Sequence, residues 1–334
     1  MILAILGLLI ATIPAHDNFL TLMGESTSRW RFVTEERDHS DLERYETLYN
    51  QNKDLQFADQ GPYKIPCNVH LIWLGPKPFP IESVENIRMW MEHHPEWSLH
   101  FWTDRNRPPP VKGMVVHREE EFPLSPLAKH YEQARNWGQK SDILRYEILS
   151  QIGGVYIDHD ADCLRPFDGL HRGYDFYCCL EAPHTRVDGR SITSGIGVIG
   201  AAPHHPVIEG SIDEVIAHWD ETLNKFPTTS ARSLRDYVMH STYLALTRSL
   251  EKHLGEGGNS DIVLPASYFY PQKSLKPIYS YHHYATSWAG VENEKKSERD
   301  VRHLLDRVKK EGRHLIVLIG LTAAFSLCLL GRRR

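Results

Sequence analysis

The densest chemistry in this sequence lies in Asp158-His159-Asp160-Ala161-Asp162, where three carboxylates alternate directly after the apolar triplet Val155-Tyr156-Ile157. Carboxylates one residue apart at the end of a strand suit a hard divalent cation. Mg2+ or Mn2+ takes oxygen ligands and keeps positions open for substrate phosphates. Surface loops also produce such a pair by chance, so the surroundings have to decide. Just ahead, Asp142 and Arg145 stand three residues apart and therefore share one helical face. Two readings of that pair are open: a surface ion pair worth about 0–1 kcal/mol, or a charged pair aimed at the same place as the aspartates.

The elements around these residues favour a common destination. From Gln139 the chain carries Ile143, Leu144, Ile148, Leu149 and Ile152, close to a 3.6-residue period. Gly153 and Gly154 then end the helix, because glycine accepts the left-handed geometry of a helix C-terminus. The triplet that follows is short and apolar, as a buried strand is. Ligands of open α/β sheets bind beyond the carboxyl ends of strands, which is where the carboxylates fall. Upstream, KIPCNVHLIWLG reads as a turn and a strand broken by Gly75 and three prolines. Ile81 to His94 shows a helical face, and residues 97–104 form a second strand ending at Asp104. Strand, helix and strand make a βαβ unit and imply a parallel sheet. Residues 111–135 are expected to cross back over it, with a helix from Ser125 to Arg135. Further strands are expected over 174–181, in 191–206 and near 261–272, with helices over 207–223 and 230–250.

The stretch SDILRYEILSQIGGVYIDHD closely resembles the signature of glycosyltransferase family 32, the DXD-containing sugar transferases, which include fungal mannosyltransferases acting on glycans and on inositol phosphoceramide. It is also similar to the glucosyltransferase domains of the large clostridial toxins. The resemblance covers roughly residues 64–290 and is strongest over 64–75 and 140–168. It implies a GT-A-like α/β fold, with a mostly parallel sheet flanked by helices. The implied reaction is metal-dependent and retaining: a hexose moves from a nucleoside-diphosphate sugar, GDP-mannose or a UDP-hexose, to a hydroxyl acceptor on a glycan, glycolipid or protein. On this likeness Asp158 and Asp160 hold Mn2+ or Mg2+, Asp142 and Arg145 orient the donor sugar, and Tyr156 helps fix it. The motif IPxxVHxIWLG implies that Trp73 stacks on the base; the alternative is core packing. By fold analogy Asp104 contacts the ribose or base. SYHHYATSWAG resembles the family's closing motif, in which His283, Ser287 and Trp288 would cover the diphosphate. Relatives often bring an asparagine to the sugar from the strand in 191–206. Here Thr193 and Ser194 stand in that place. Where many relatives carry Thr-Gly-Pro, this chain reads STYLALTRSL.

Composition sets the outer limits. The chain has 334 residues, 41% of them hydrophobic, and a net charge of −5, which leaves no electrostatic footprint for nucleic acid. Its five cysteines form no C-x-x-C pair, so neither a zinc site nor a thioredoxin-like motif is indicated. Residues 1–16 are apolar like a signal segment, though without a basic start, and 17–63 read as a polar stem or an appended helical layer. The catalytic region is expected over 64–290 and a charged stalk over 291–313. Residues 314–334 contain an apolar run flanked by arginines, the pattern of a membrane anchor with a basic tail. This arrangement points to a membrane-tethered enzyme, with the catalytic domain in the Golgi or secretory lumen of a eukaryote, or at a bacterial membrane or secreted. The chain contains no N-x-Ser/Thr sequon, which keeps a bacterial source open. Two alternatives stand beside the main reading: a bacterial effector that glycosylates a host protein, and a non-catalytic membrane protein that binds sugar nucleotides or glycans.

Overall fold

The computed structural model describes residues 18–226, 231–273 and 275–288. The chain divides into two compact units, Met1–Tyr284 and Ala285–Arg334; of the second, residues 285–288 are described. The signal-like segment, the charged stalk and the anchor expected from the sequence lie outside the described residues. Among those described, no helix is long and apolar enough to cross a membrane.

Seven strands build the sheet of the first unit: β1 (Asn68–Trp73), β2 (Ser98–Thr103), β3 (Val115–Arg118), β4 (Gly154–Ile157), β5 (Phe176–Leu180), β6 (Ser194–Ala201) and β7 (Asp261–Leu264). Their spatial order is β3-β2-β1-β4-β6-β5-β7. Every neighbouring pair is parallel except the two that involve β6, which runs against both β4 and β5. The helices are α1 (Phe19–Met23), α2 (Glu36–Asn52), α3 (Val84–His93), α4 (Ala128–Gln133), α5 (Trp137–Gln151), α6 (Asp168–Gly173), α7 (Pro206–Lys225), α8 (Ala231–Val238) and α9 (Leu244–His253). This is the mostly parallel, helix-flanked α/β arrangement of the expected GT-A-like fold.

Strand β3 was not legible in the sequence. It has four residues, its Val115 and Val116 are exposed, and it sits at the sheet's edge. No alternation of buried and exposed positions therefore marks it. Residues 18–57 form a layer on the opposite edge. Leu42, Tyr45 and Tyr49 of α2 are buried, and α2 packs on β7. Its buried Asp38 is held by Arg186 at 2.5 Å and by the Ser191 hydroxyl at 2.8 Å.

The central helix α5 is buried on nearly every side, from Gln139 through Ser150, and lies against β1, β4 and β6. A helix hydrophobic all round belongs inside a protein, yet this one carries Asp142, Arg145 and Glu147. The side chain of Asn136 accepts from the Gln139 N–H at 2.7 Å and caps its start. Its end reverses tightly into β4 through Gly153, at φ +69°, and Gly154, at φ +112°. A Cβ on Gly154 would stand 2.6 Å from the Asn68 carbonyl oxygen. Because α5 feeds the start of β4, its own start lies at the sheet's carboxyl edge. The same edge receives the ends of β1, β2 and β4 and the beginning of the reversed strand β6.

Candidate active site

Asp158 leaves β4 with its N–H donating to the Gly197 carbonyl at 2.7 Å. The alternation of the next residues turns His159 away from its two neighbours. Its Nδ1 meets the Ser83 hydroxyl at 2.8 Å, its carbonyl accepts from Asn86, and its ring packs edge-on against Trp73 and Phe79. The middle residue of the motif thus ties the loop to the start of α3. Asp158 and Asp160 face the other way, toward His282.

Residues 279–283 lie alongside this loop. The N–H of Leu164 donates to the Tyr279 carbonyl, that of Asp162 to Tyr281, and that of His283 to Asp160, at 2.8, 3.2 and 2.8 Å. Ala161 and His282 are paired as an antiparallel bridge. The register places His282 Nε2 3.2 Å from Asp158 Oδ2 and 3.4 Å from Asp160 Oδ1. His283, the histidine singled out in the sequence, is directed instead to Asp162, at 3.4 Å. Asp158, Asp160 and His282 offer three ligand atoms within 4.8 Å of one another. Two carboxylates and an imidazole are a donor set that fits a divalent transition ion. The cradle is kept clear by Gly197, where a Cβ would stand 2.7 Å from Asp158 Oδ2 and 2.9 Å from His282 Nε2. Burial opposes charge on both groups, but the neighbours outweigh it. Arg145 and His282 hold the Asp158 carboxyl well below its usual range. Asp160 and Asp158 raise the His282 imidazolium to about 9, so Nε2 becomes a ligand atom only once that proton has left.

A line of charge connects this cluster to α5. Arg145 pairs with Asp142 Oδ1 at 2.7 Å and reaches Asp158 Oδ1 at 3.5 Å. Its guanidinium lies 4.0 Å above the Tyr156 ring and donates to the Ile196 carbonyl. The Tyr156 hydroxyl donates to Asp158 Oδ1 at 2.7 Å. Asp142 Oδ2 accepts from the Thr242 hydroxyl at 2.6 Å. Burial is the largest influence on Asp142 and, despite Arg145 and Thr242, takes its carboxyl up to about 6. Thr242 comes from Met239–Tyr243, one turn of π-helix between α8 and α9. The same turn bonds Gln139 through Ser241, and its Thr242 carbonyl accepts from Tyr146. Such turns recur at functional sites because they re-aim a few side chains within a helix.

The remaining expected residues occupy varied places. Asp104, just past β2, accepts from the Gly75 N–H at 3.1 Å and from Arg105 at 3.1 and 2.5 Å. Trp73 ends β1 only 7% exposed, with its Nε1 donating to the Lys77 carbonyl at 3.0 Å. Thr193 and Ser194 stand at the same edge but are buried. The Thr193 hydroxyl bonds His184 and Tyr243, and the Ser194 hydroxyl bonds Thr247. Ser287 and Trp288 belong to the second unit. Beyond β1 and β2, a cleft of about 470 Å³ is walled by prolines and Phe79, with Lys77, Arg105 and Arg107 on it. His282, Gly197 and Thr242 were not found by sequence reasoning. A histidine pair, a strand glycine and a helical threonine have no spacing that announces a shared site.

Residues 80–177 match the family described as the glycosyltransferase sugar-binding region containing the DXD motif. The chain is 28% identical to the Legionella pneumophila protein named Subversion of eukaryotic traffic protein A, over 34% of this chain and 20% of that one. It is 25% identical to mannosyl phosphorylinositol ceramide synthase CSH1 of Saccharomyces cerevisiae, over 62% of this chain and 47% of that one. The matched part is thus between a fifth and a half of these curated relatives' length. The solved PaToxG glycosyltransferase aligns with a TM-score of 0.45 at 16% identity, over 66% of this chain and 81% of that one. Over residues 80–177 the chain is thus similar to the DXD-containing sugar-binding region of the glycosyltransferases, and Asp158-His159-Asp160 lies within that stretch.

Proposed function

We propose that the protein is a metal-dependent, retaining glycosyltransferase that moves a hexose from a nucleoside-diphosphate sugar to a hydroxyl acceptor on a glycan or glycolipid. The observation that carries this reading is the convergence of Asp158, Asp160 and His282 at the sheet's carboxyl edge, wired through Arg145 to Asp142. The first three would hold the cation. Mn2+ suits the set better than Mg2+, since an imidazole joins the carboxylates. When bound, the ion supplies Lewis-acid stabilisation of the leaving diphosphate.

The protein's own part is placement. Asp142 presents a carboxyl to sugar hydroxyls, with Thr242 and Arg145 fixing its rotamer. Arg145 is in turn clamped between Tyr156, Asp158 and the Ile196 carbonyl, so the orienting groups move as one body. Preorganised dipoles of this kind need no rearrangement when charge develops. The acceptor class rests on the name of the yeast relative. A protein acceptor, as in the effector alternative, is the second reading; the Legionella relative is named for subversion of eukaryotic traffic. Membrane attachment through 314–334 and approach of His283 to the donor belong to the same proposal.

The test is hydrolysis of UDP- and GDP-sugars with Mn2+ present, in the wild type and in Asp160→Ala. Turnover of one donor, lost in excess EDTA, restored by Mn2+ and nearly absent from the folded variant, is the expected result. Full activity in EDTA overturns the metal-dependent reading. Absence of any donor turnover with preserved sugar-nucleotide binding favours the binding-protein alternative.

A further inference from the structure

We infer that Trp137 is the platform on which the nucleobase of the donor stacks. The inference rests on the glycosyl-transfer reading and adds a residue to it. Trp137 is the first residue of α5, and the topology of α5 and β4 puts that end of the helix at the sheet's carboxyl edge. An independent contact places the side chain there too. A Cβ on Gly75, just past the end of β1, would lie 2.6, 2.8 and 2.8 Å from the Trp137 atoms Cδ1, Cγ and Nε1. Nearly equal distances to three adjacent ring atoms mean that the glycine meets the indole on its face. Gly75 holds φ +88° and is pinned by Asp104 on its N–H and by Arg107 on its carbonyl. The indole therefore rests on a fixed piece of backbone.

Despite this support the residue remains 42% exposed, with the Lys140 ammonium 5.7 Å from its ring centroid, so much of the indole stays accessible to a ligand. Its helix neighbours five and eight positions along are Asp142 and Arg145, so one rigid helix presents both a ring and the sugar-orienting pair. Trp73, to which the family likeness points for stacking, has its ring hemmed by Phe79 and His159 at 5.4 and 5.0 Å and keeps 7% of its surface. An aromatic face held at a nucleotide-binding edge gains affinity from any base, since every base has a π-face.

Calorimetric titration of the full chain with UDP, GDP and inorganic pyrophosphate, each with Mn2+, tests the assignment. Three variants are compared with the wild type: Trp137→Ala, Trp137→Phe and Trp137→Met, the last keeping apolar bulk over Gly75 without a ring. The expected result is a Kd for the bound nucleotide raised about ten-fold or more by Ala and Met, near wild type in Phe, with pyrophosphate affinity unchanged. Wild-type nucleotide affinity in both Ala and Met overturns the platform and leaves glycosyl transfer standing. So does an equal loss for pyrophosphate, which assigns the ring to loop support. A wild-type protein that binds neither UDP nor GDP overturns the inference together with the reading beneath it.

Discussion

Replacing Gly197 by alanine adds one methyl group at the point where β6 passes the aspartate cluster. The new carbon would lie 2.7 Å from Asp158 Oδ2 and 2.9 Å from His282 Nε2, where ordinary contact begins at 3.4 Å. The strand backbone cannot yield easily, because β6 is hydrogen-bonded on both sides and Asp158 N–H is itself bonded to the Gly197 carbonyl. The side chains of Asp158 and His282 must give instead. Ligand atoms displaced by about 0.5 Å lose productive geometry, and disturbed support around a metal site typically costs 10–100-fold in affinity. Overpacking should cost about 1–3 kcal/mol of stability as well. Gly200→Ala is the control, since it lies on the same strand and its Cβ would meet the Tyr177 ring, beside Val155 rather than Asp158. Both variants should melt at lower temperature, and only Gly197→Ala should weaken Mn2+ binding by calorimetry. Mn2+ affinity in Gly197→Ala equal to the wild type would refute the placement of the cation between Asp158 and His282.

Thr242→Val should remove the 2.6 Å bond to Asp142 and lower kcat by about ten-fold with little change in nucleotide affinity, measured by steady-state kinetics beside calorimetry; unchanged kcat would detach the π-turn from the chemistry. Acid should destabilise the fold early. Burial pushes His70 and His171 down to about 3 and His94 and His100 to about 4. Each is neutral when folded and titrates near 6.5 when unfolded, so this stability is complete above pH 6.5 and drains as pH falls toward 4 and 3. For the fully buried His70 and His171 the loss by pH 5 is about 2 kcal/mol each, and a melting temperature unchanged from pH 7 to 4.5 would contradict the assignment. Removal of residues 314–334 should release active enzyme from membranes, and a full-length protein found soluble without detergent rules the anchor out.

Much of this architecture was readable because it obeys simple periods. The helix over 137–151 and the strands that flank it carry apolar runs bounded by glycine, and their order alone places Asp158 and Asp160 at the ligand edge. The edge strand β3, with exposed valines, has no such signature. His282 was missed for a different reason. Its role is set by the antiparallel register of 279–283 on 160–164, more than a hundred residues away, and a shift of one residue exchanges His282 for His283. Thr242 depends on the extra residue of a π-turn, which alters the helical phase that periodicity assumes. Trp73 shows the opposite limit: an aromatic ending a strand reads equally well as core or as binding surface until its exposure is known.

The ion pair inside α5 gives the strongest physical reason to regard this edge as functional. Burying Asp142 and Arg145 removes two charges from water at a cost of several kcal/mol each, and their mutual attraction seldom returns more than that. Apolar residues of similar volume would hold the helix in the core at least as well. A sequence shaped by stability alone would therefore not retain Asp142, Arg145, Tyr156 and Asp158 in one connected line. The line also has a direction. It begins at a carboxyl pushed up to about 6, where burial outweighs its partners, and ends at one held low beside His282 and Arg145. Under the proposed reading, unequal carboxyls bridged by one guanidinium would divide the work: the low one a permanent anion fit for a cation, the high one a hydrogen-bonding group whose charge responds to what binds beside it. If that division holds, Asp142→Asn should keep Mn2+ affinity within about two-fold while lowering turnover, because the amide fills the same space beside Thr242. Asp158→Asn should lose Mn2+ first. Equal effects of the two substitutions on metal binding would show that the line acts as one undivided site.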